Sequence, residues 1–207
     1  MGNCMGKKNE PLIATEPVAE QIEAAEKPYK IVLIGDKAVG KTSIVMRYTQ
    51  DKWSTVHNVT IGATFAIKDL VIKREDDKIV KVRLHIWDTA GEEQYRSMTR
   101  YFYTDAIVGI VCYDSTNQDT VTNLEKWIDD LFEVSKDVVV LLAGNKIDGD
   151  KQFPSAKMQV YADSNRFYFS ECSAKTGEGI HELFDKAAIL AYKQSVGYEG
   201  NVTVVPE

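Results

Sequence analysis

The chain has 207 residues, 44% hydrophobic and 27% charged, with a formal net charge of −6 and a pI near 5.2. That is the size and balance of one cored globular domain with flanking segments. The acidic excess offers no basic field for a nucleic-acid backbone, and no apolar run approaches the roughly 20 residues that span a bilayer, so nucleic-acid binding and a transmembrane helix are not expected.

Residues 1–28 mix Pro11 and Pro17 with Glu16, Glu20, Glu23 and Glu26 and predict a flexible arm, although "VAEQIEAAEK" allows a short helix. They lack the apolar core of a secretory signal, which points to the cytosol or its membranes. One domain is expected over residues 29–195. Within it "YKIVLIG" reads as a buried strand ended by glycine, and "KTSIVMRYTQ" as a helix with Ile44, Val45 and Tyr48 at helical spacing. "TFAIKDLVIKR" and "KIVKVRLHIW", alternating in character and separated by "EDD", read as an antiparallel hairpin. Strands then alternate with helices: "AIVGIVCYD" before "TVTNLEKWIDDLFE", "VVVLLAGN" before "SAKMQVYADSN", and "FYFSECS" before "IHELFDKAAILAYKQ". This order predicts an α/β fold with a mostly parallel sheet and helices on both faces. Residues 196–207 read as a disordered tail. Cys4, Cys112 and Cys172 are an odd number in unlike contexts, which argues against a disulfide framework and for a reducing compartment; Cys112 reads as core.

The strongest motif is "GDKAVGKT", Gly35 to Thr42, which fits G-x-x-x-x-G-K-[ST] and lies between a predicted strand and a predicted helix. Glycines let backbone N–H groups turn onto phosphate oxygens, and the helix N-terminus favours an anion. The cradle would comprise Asp36, Lys37, Ala38, Val39, Gly40, Lys41, Thr42 and Ser43. Lys41 would reach the β- and γ-phosphates and the Thr42 hydroxyl would ligate Mg²⁺. "GNKID" supplies Asn145, Lys146 and Asp148; a carboxylate accepts both N1–H and N2–H of guanine, whereas adenine has no such donor pair, which favours GTP. "ECSAKTGEG" places Ser173, Ala174 and Lys175 where an Ala174 N–H can meet the guanine oxygen and Lys175 can cover the ring. Taken singly, either stretch is equally an ordinary charged turn; the order P-loop, "DTAG", "NKID", "SAK" makes coincidence hard to sustain.

With these motifs and "TIGATF", "WDTAGEEQYRSMTRYFYTDA" and "CSAKTGEGIHELF", residues 29–193 resemble the Rab family of the Ras superfamily of small GTPases. The resemblance implies a six-stranded, mostly parallel sheet with one antiparallel strand and about five helices, in a monomer that binds GTP or GDP with Mg²⁺. It also implies two switch loops held by the γ-phosphate and released on hydrolysis. In that frame Thr60 reaches Mg²⁺ and the γ-phosphate, Asp88 supports Mg²⁺ through water, the Gly91 N–H contacts the γ-phosphate, and Trp53 lies against the guanine edge. Lys41, Thr60, Gly91 and Glu92 form the implied catalytic set, and Thr42, Thr60 and Asp88 the metal set. Phe65, Trp87 and Phe102 match three aromatic positions exposed to protein effectors, the alternative being ordinary core. An exchange factor and an activating protein are further implied partners.

Four departures stand out. Glu92 occupies the place of a glutamine that orients the attacking water; an ionised carboxylate accepts but cannot donate, so its effect on rate has no sign from sequence. Repulsion from phosphate is expected to raise its pKa. Lys37 replaces a small P-loop residue and can pair with phosphate or with Glu92. His57 replaces a switch I tyrosine, with solvent preferred over the γ-phosphate as its surroundings. At the ends, "TVVPE" offers no prenylatable cysteine, whereas "MGNCMGKK" suggests myristoylation at Gly2 and palmitoylation at Cys4, aided by Lys7 and Lys8, despite Gly6 at the usual Ser/Thr position. The expected protein is a GTP-hydrolysing switch that recruits effectors to the cytoplasmic face of membranes, endosomal by resemblance. The alternatives are a GTP-binding scaffold with negligible turnover and a Ras-type signalling GTPase at the plasma membrane.

Overall fold

A computed structural model describes residues 22–25, 27–55 and 59–206. In chain order they form β1 (Ile22–Ala24), β2 (Tyr29–Ile34), α1 (Lys41–Gln50), β3 (Ala63–Arg74), β4 (Ile79–Thr89), α2 (Arg96–Thr99), β5 (Val108–Asp114), α3 (Gln118–Thr122), α4 (Leu124–Val134), β6 (Val139–Asn145), α5 (Ser155–Asn165), β7 (Tyr168–Glu171), α6 (Ile180–Val196) and β8 (Val202–Val205). Two 3₁₀ turns, Glu93–Tyr95 and Arg100–Tyr103, flank α2. No described helix is long and apolar enough to cross a membrane.

The sheet runs β7-β6-β5-β2-β4-β3-β8, and β3 is the strand that opposes the rest. Alternation along β2 sets its two faces. Ile31 and Leu33 pack with Ile44 of α1 and Phe184 of α6, while Val32 and Ile34 pack with Trp127 of α4 and Met158 of α5. The β3–β4 hairpin turns at Asp77, whose φ of 62° lies in the left-handed region that aspartate tolerates. Along β4 Val80, Val82, Leu84 and Ile86 are buried at every second position, the period-2 pattern of a strand packed on one side. Cys112 and Cys172 are free and buried, in agreement with Cys112 as core.

The six expected strands and their helices are present, with α3 and α4 separated only by Asn123. Two expectations at the ends are corrected. Residues 22–24, assigned to the flexible arm and to a permitted helix, form β1, parallel to Ile79–Lys81 of β4. The cause is a length mismatch: β4 has 11 residues and β2 six, so the start of β4 has backbone groups that β2 does not reach. Residues 202–205, assigned to a disordered tail, form β8 against Val71–Arg74 of β3. Val202 and Val204 turn inward onto the core, and Glu75 accepts from the Asn201 N–H at 3.1 Å. Residues 202–205 thus cover part of a sheet edge that would otherwise present unpaired N–H and C=O groups.

Replacing Val202 and Val204 together by Ser should remove about 2–3 kcal/mol of burial and lower Tm by roughly 4–10 °C. Thermal unfolding followed by circular dichroism with saturating nucleotide reads this, and an unchanged Tm would show that β8 adds nothing to the core.

Candidate functional site

The strands other than β3 share one direction, so the ends of β2, β4, β5 and β6 deliver their loops to one rim of the sheet. There the chain order switches sides about β2, the place where open α/β sheets bind ligands. A cavity of about 560 Å³ opens at this rim, lined by Lys37, Lys41, Thr42, Trp53, Thr60 and Glu92, among others. Its size suits a nucleotide-sized ligand.

Its floor is the loop from Gly35 to Gly40. Gly35 has a φ of 137°, and a Cβ there would overlap the Cys112 carbonyl oxygen, so the chain can leave β2 this way only with glycine. Gly40 caps α1 with φ 98° and no side-chain hydrogen bond, which leaves the first N–H groups of the helix facing the cavity end without a capping oxygen. Lys41 is buried; its ammonium donates to the carbonyls of Gly35 at 2.7 Å and Asp36 at 2.9 Å. Burial pushes its pKa down, while Cys112, Asp88 and Asp36 push it up. Gly91 lies directly against this ammonium, and a Cβ on it would overlap both Lys41 and the Asp36 carbonyl.

The expected metal residues converge. Thr42 Oγ1 donates to Asp88 Oδ2 at 2.6 Å and lies 3.0 Å from Thr60 Oγ1. Thr64, which sequence reasoning missed, also donates to Asp88 Oδ2, at 3.3 Å. Asp88 is buried, which raises its pKa against the pull of Thr42, Lys41 and Thr64. Among the described residues its Oδ1 has no hydrogen-bond partner. Two hydroxyls and a carboxylate with an unsatisfied oxygen are the hard donor set that suits Mg²⁺ held partly through water.

A second cluster gathers the loops after β6 and β7. Asn145 donates from Nδ2 to the Val39 carbonyl at 2.8 Å and accepts from the Ala174 N–H at 3.1 Å. Asp148 accepts from Ser173 Oγ at 2.7 Å and pairs with Lys175 at 3.2 Å. The Ser173 hydroxyl, then Lys175, hold its pKa below the ordinary carboxylate range, so it stays an acceptor at neutral pH. Lys146 pairs with Asp114 at 2.6 Å. Arg47 of α1 donates to the carbonyls of Ala174 and Lys175, each at 2.9 Å. Neither Asp114 nor Arg47 was legible as a site residue, because nothing in the motifs marks a side chain that meets a loop 32 positions away, as Asp114 does, or 127 away, as Arg47 does.

Several expected residues contribute less directly. The Asp36 carboxylate turns from the cavity to accept from Trp127 Nε1 at 2.7 Å and Asn123 Nδ2 at 2.8 Å, leaving only its backbone at the site. The Val39 side chain is wholly buried in the core. Ala38 and Ser43 line the cavity. Glu92 departs from its expectation in the opposite direction: Lys37 lies 2.6 Å from its Oε1 and holds its pKa down rather than up. Phe65, Trp87 and Phe102 form one row, with centroids 5.0 and 5.5 Å apart; Phe65 is 46% exposed and the other two half-buried. His57, Gly2 and Cys4 lie outside the described residues.

Comparison with known proteins agrees with this geometry. Residues 30–193 match the model of the Ras family. The chain is 36% identical over 184 residues to the Ras-related protein Rab-5B of Plasmodium falciparum, covering 88% of this chain and 87% of that protein. It is 34% identical to the GTP-binding protein YPT52 of Saccharomyces cerevisiae, over 75% of this chain and 78% of that one. With ypt5 of Schizosaccharomyces pombe the identity is 39%, over 77% and 75%. The chain is a Rab-family small GTPase.

As a small GTPase it binds GTP or GDP with Mg²⁺ and hydrolyses GTP. In such enzymes the metal neutralises charge on the transferring phosphoryl group. The chain's own part is positioning. Two carbonyls hold the Lys41 ammonium against Gly91, where any side chain would clash with it, at the uncapped start of α1. Arg47→Ala should free the Ala174–Lys175 loop and speed GDP release about tenfold, with single-turnover hydrolysis of bound GTP changed less than twofold; an about 1.4 kcal/mol effect is expected from two lost charge-assisted hydrogen bonds. Stopped-flow release of a fluorescent GDP analogue measures it, and equal release rates would remove Arg47 from the site.

Proposed function

We propose that this GTPase is a switch of endosomal membrane traffic that recruits protein effectors when GTP is bound. The observation that carries the reading is the row Phe65, Trp87 and Phe102 on the β3–β4 face, joined through β4 to the nucleotide site. Trp87 immediately precedes Asp88, and Thr64, which precedes Phe65, donates to the same carboxylate. A change in the charge held at Asp88 therefore acts on the two strands that carry Phe65 and Trp87 of the aromatic row. Aromatic rings with partial exposure bury large area at low entropic cost, as binding anchors do. Ile61 and Tyr101, 72% and 81% exposed, extend the apolar area on the segments either side. The names of the relatives, Rab-5B and ypt5, support an endosomal rather than a plasma-membrane role.

The roles proposed for individual residues follow the geometry above. Thr42, Thr60 and Asp88 hold Mg²⁺; Lys41 and Gly91 face the γ-phosphate; Trp53, Asn145, Lys146, Asp148, Ser173, Ala174 and Lys175 frame the guanine. An exchange factor resets the switch, and an activating protein hastens hydrolysis. Membrane attachment is through acyl groups on Gly2 and Cys4, since one chain alone gives marginal binding and two give stable anchoring.

Trp87→Ala should weaken binding of a Rab5-type effector fragment to the GTP-loaded protein by about 30-fold or more, with GTP still bound. Calorimetry on GTP- and GDP-loaded protein checks it; effector binding that ignores both the substitution and the nucleotide would overturn the switch reading. For the anchor, the intact mass of protein from its native cell should exceed the chain mass by one myristoyl and one palmitoyl group, and Gly2→Ala should shift the protein from the membrane to the soluble fraction.

A further inference from the structure

The phosphate end of the cavity is crossed by an ion pair. Lys37 comes from the loop after β2 and Glu92 from the segment after β4, and both line the cavity beside Lys41, Thr60 and Gly91. Lys37 Nζ lies 2.6 Å from Glu92 Oε1, and Gln94 Nε2 donates to the other oxygen, Oε2. Both carboxylate oxygens are thus engaged, and the hydrogen bond from Lys37 is the largest influence keeping Glu92 ionised. The partners differ in freedom: the Glu92 side chain is 17% exposed and that of Lys37 63%. The carboxylate is the enclosed member and the lysine the one able to move.

We propose that this pair sets the preference of the protein for GTP over GDP, with Lys37 as a positioning residue that shields the terminal phosphate from Glu92. The inference rests on the reading of this cavity end as the phosphate site. A γ-phosphate adds negative charge beside Gly91, the residue that Glu92 follows. An ionised Glu92 repels that charge and Lys37 attracts it, each by an amount that falls while the two are paired. GDP lacks the added charge and is less sensitive to both. The pair also joins the P-loop to the segment leading into α2, so a γ-phosphate that draws Lys37 away loosens that link, whereas GDP leaves it made.

The two single substitutions must therefore act in opposite directions. Glu92→Gln removes the repulsion and frees Lys37, raising the ratio of GTP to GDP affinity by about three- to fivefold. Lys37→Gln leaves Glu92 unshielded and lowers the ratio by a similar factor. The double variant falls between them. Effects common to both nucleotides, including any loss of folding, cancel in the ratio, which competition binding of GTP and GDP at fixed Mg²⁺ measures. A fall with both single variants, or no change with either, would overturn the proposal and make the pair a structural contact. Failure of the wild type to bind either nucleotide would instead overturn the reading of the cavity itself. Raising the salt concentration should shrink both shifts, because the partly exposed lysine is screened.

Discussion

The carboxamide of Asn145 is the contact on which the site depends. Its donor goes to the Val39 carbonyl in the P-loop and its acceptor takes the Ala174 N–H in the loop after β7, so one buried side chain at the end of β6 fastens three loops of distant sequence. An ordinary residue at position 40 would press its Cβ onto Asn145 Nδ2, the atom that donates to Val39. The same glycine that caps α1 without a side chain therefore also makes room for the brace. Arg47 holds the Ala174–Lys175 segment from the side of α1, so the loop is clasped from two elements. Buried amide hydrogen bonds of this kind position backbone as strictly as packing does, because leaving either partner unmade costs its full desolvation.

Burial also explains the chemistry at the phosphate end. Lys41 and Asp88 are opposite charges taken out of water, and burial biases each toward its neutral form. Their geometry offsets this with carbonyls for the lysine and hydroxyls for the aspartate. In the proposed roles, a ligand carrying both phosphate and metal would complete the arrangement, with an anion for Lys41 and a cation near Asp88, whose Oδ1 has no hydrogen-bond partner among the described residues.

At the same end lie two residues that the resemblance marked as departures, and in the structure they form one feature. Lys37 and Glu92 are 55 positions apart in sequence, yet they meet over the cavity. The acid that looked anomalous beside a polyphosphate is neutralised by the lysine that looked anomalous in the P-loop. Beyond it, the segment carrying Glu92 runs into α2 and the 3₁₀ turn after it, whose Arg96 and Arg100 pair with the buried Asp130 of α4. The segment is thus tied at one end to the P-loop and at the other to the helix layer.

Much of this protein was readable from its residues alone. The phosphate loop, the strand–helix alternation and the loop order were legible because they rest on local rules: glycine where φ is positive, period-2 burial in strands, a helix opening at Lys41. The convergence of Thr42, Thr60 and Asp88 followed from resemblance. Tertiary structure alone decided the rest, and the reason is common to each case. Strands β1 and β8 exist because β4 outlasts β2 and β3 has an open edge, facts about neighbours that "IEA" and "VTVV" do not contain. The aim of the Asp36 carboxylate toward Trp127, the clasp of Arg47 on Ala174 and the pairing of Lys146 with Asp114 depend on which side chains the sheet order brings within 3 Å. Sequence by itself determined what each loop is made of and which ligand it suits; only the packed sheet decided which charges meet, because Coulomb and hydrogen-bond forces act through distances that chain position does not encode.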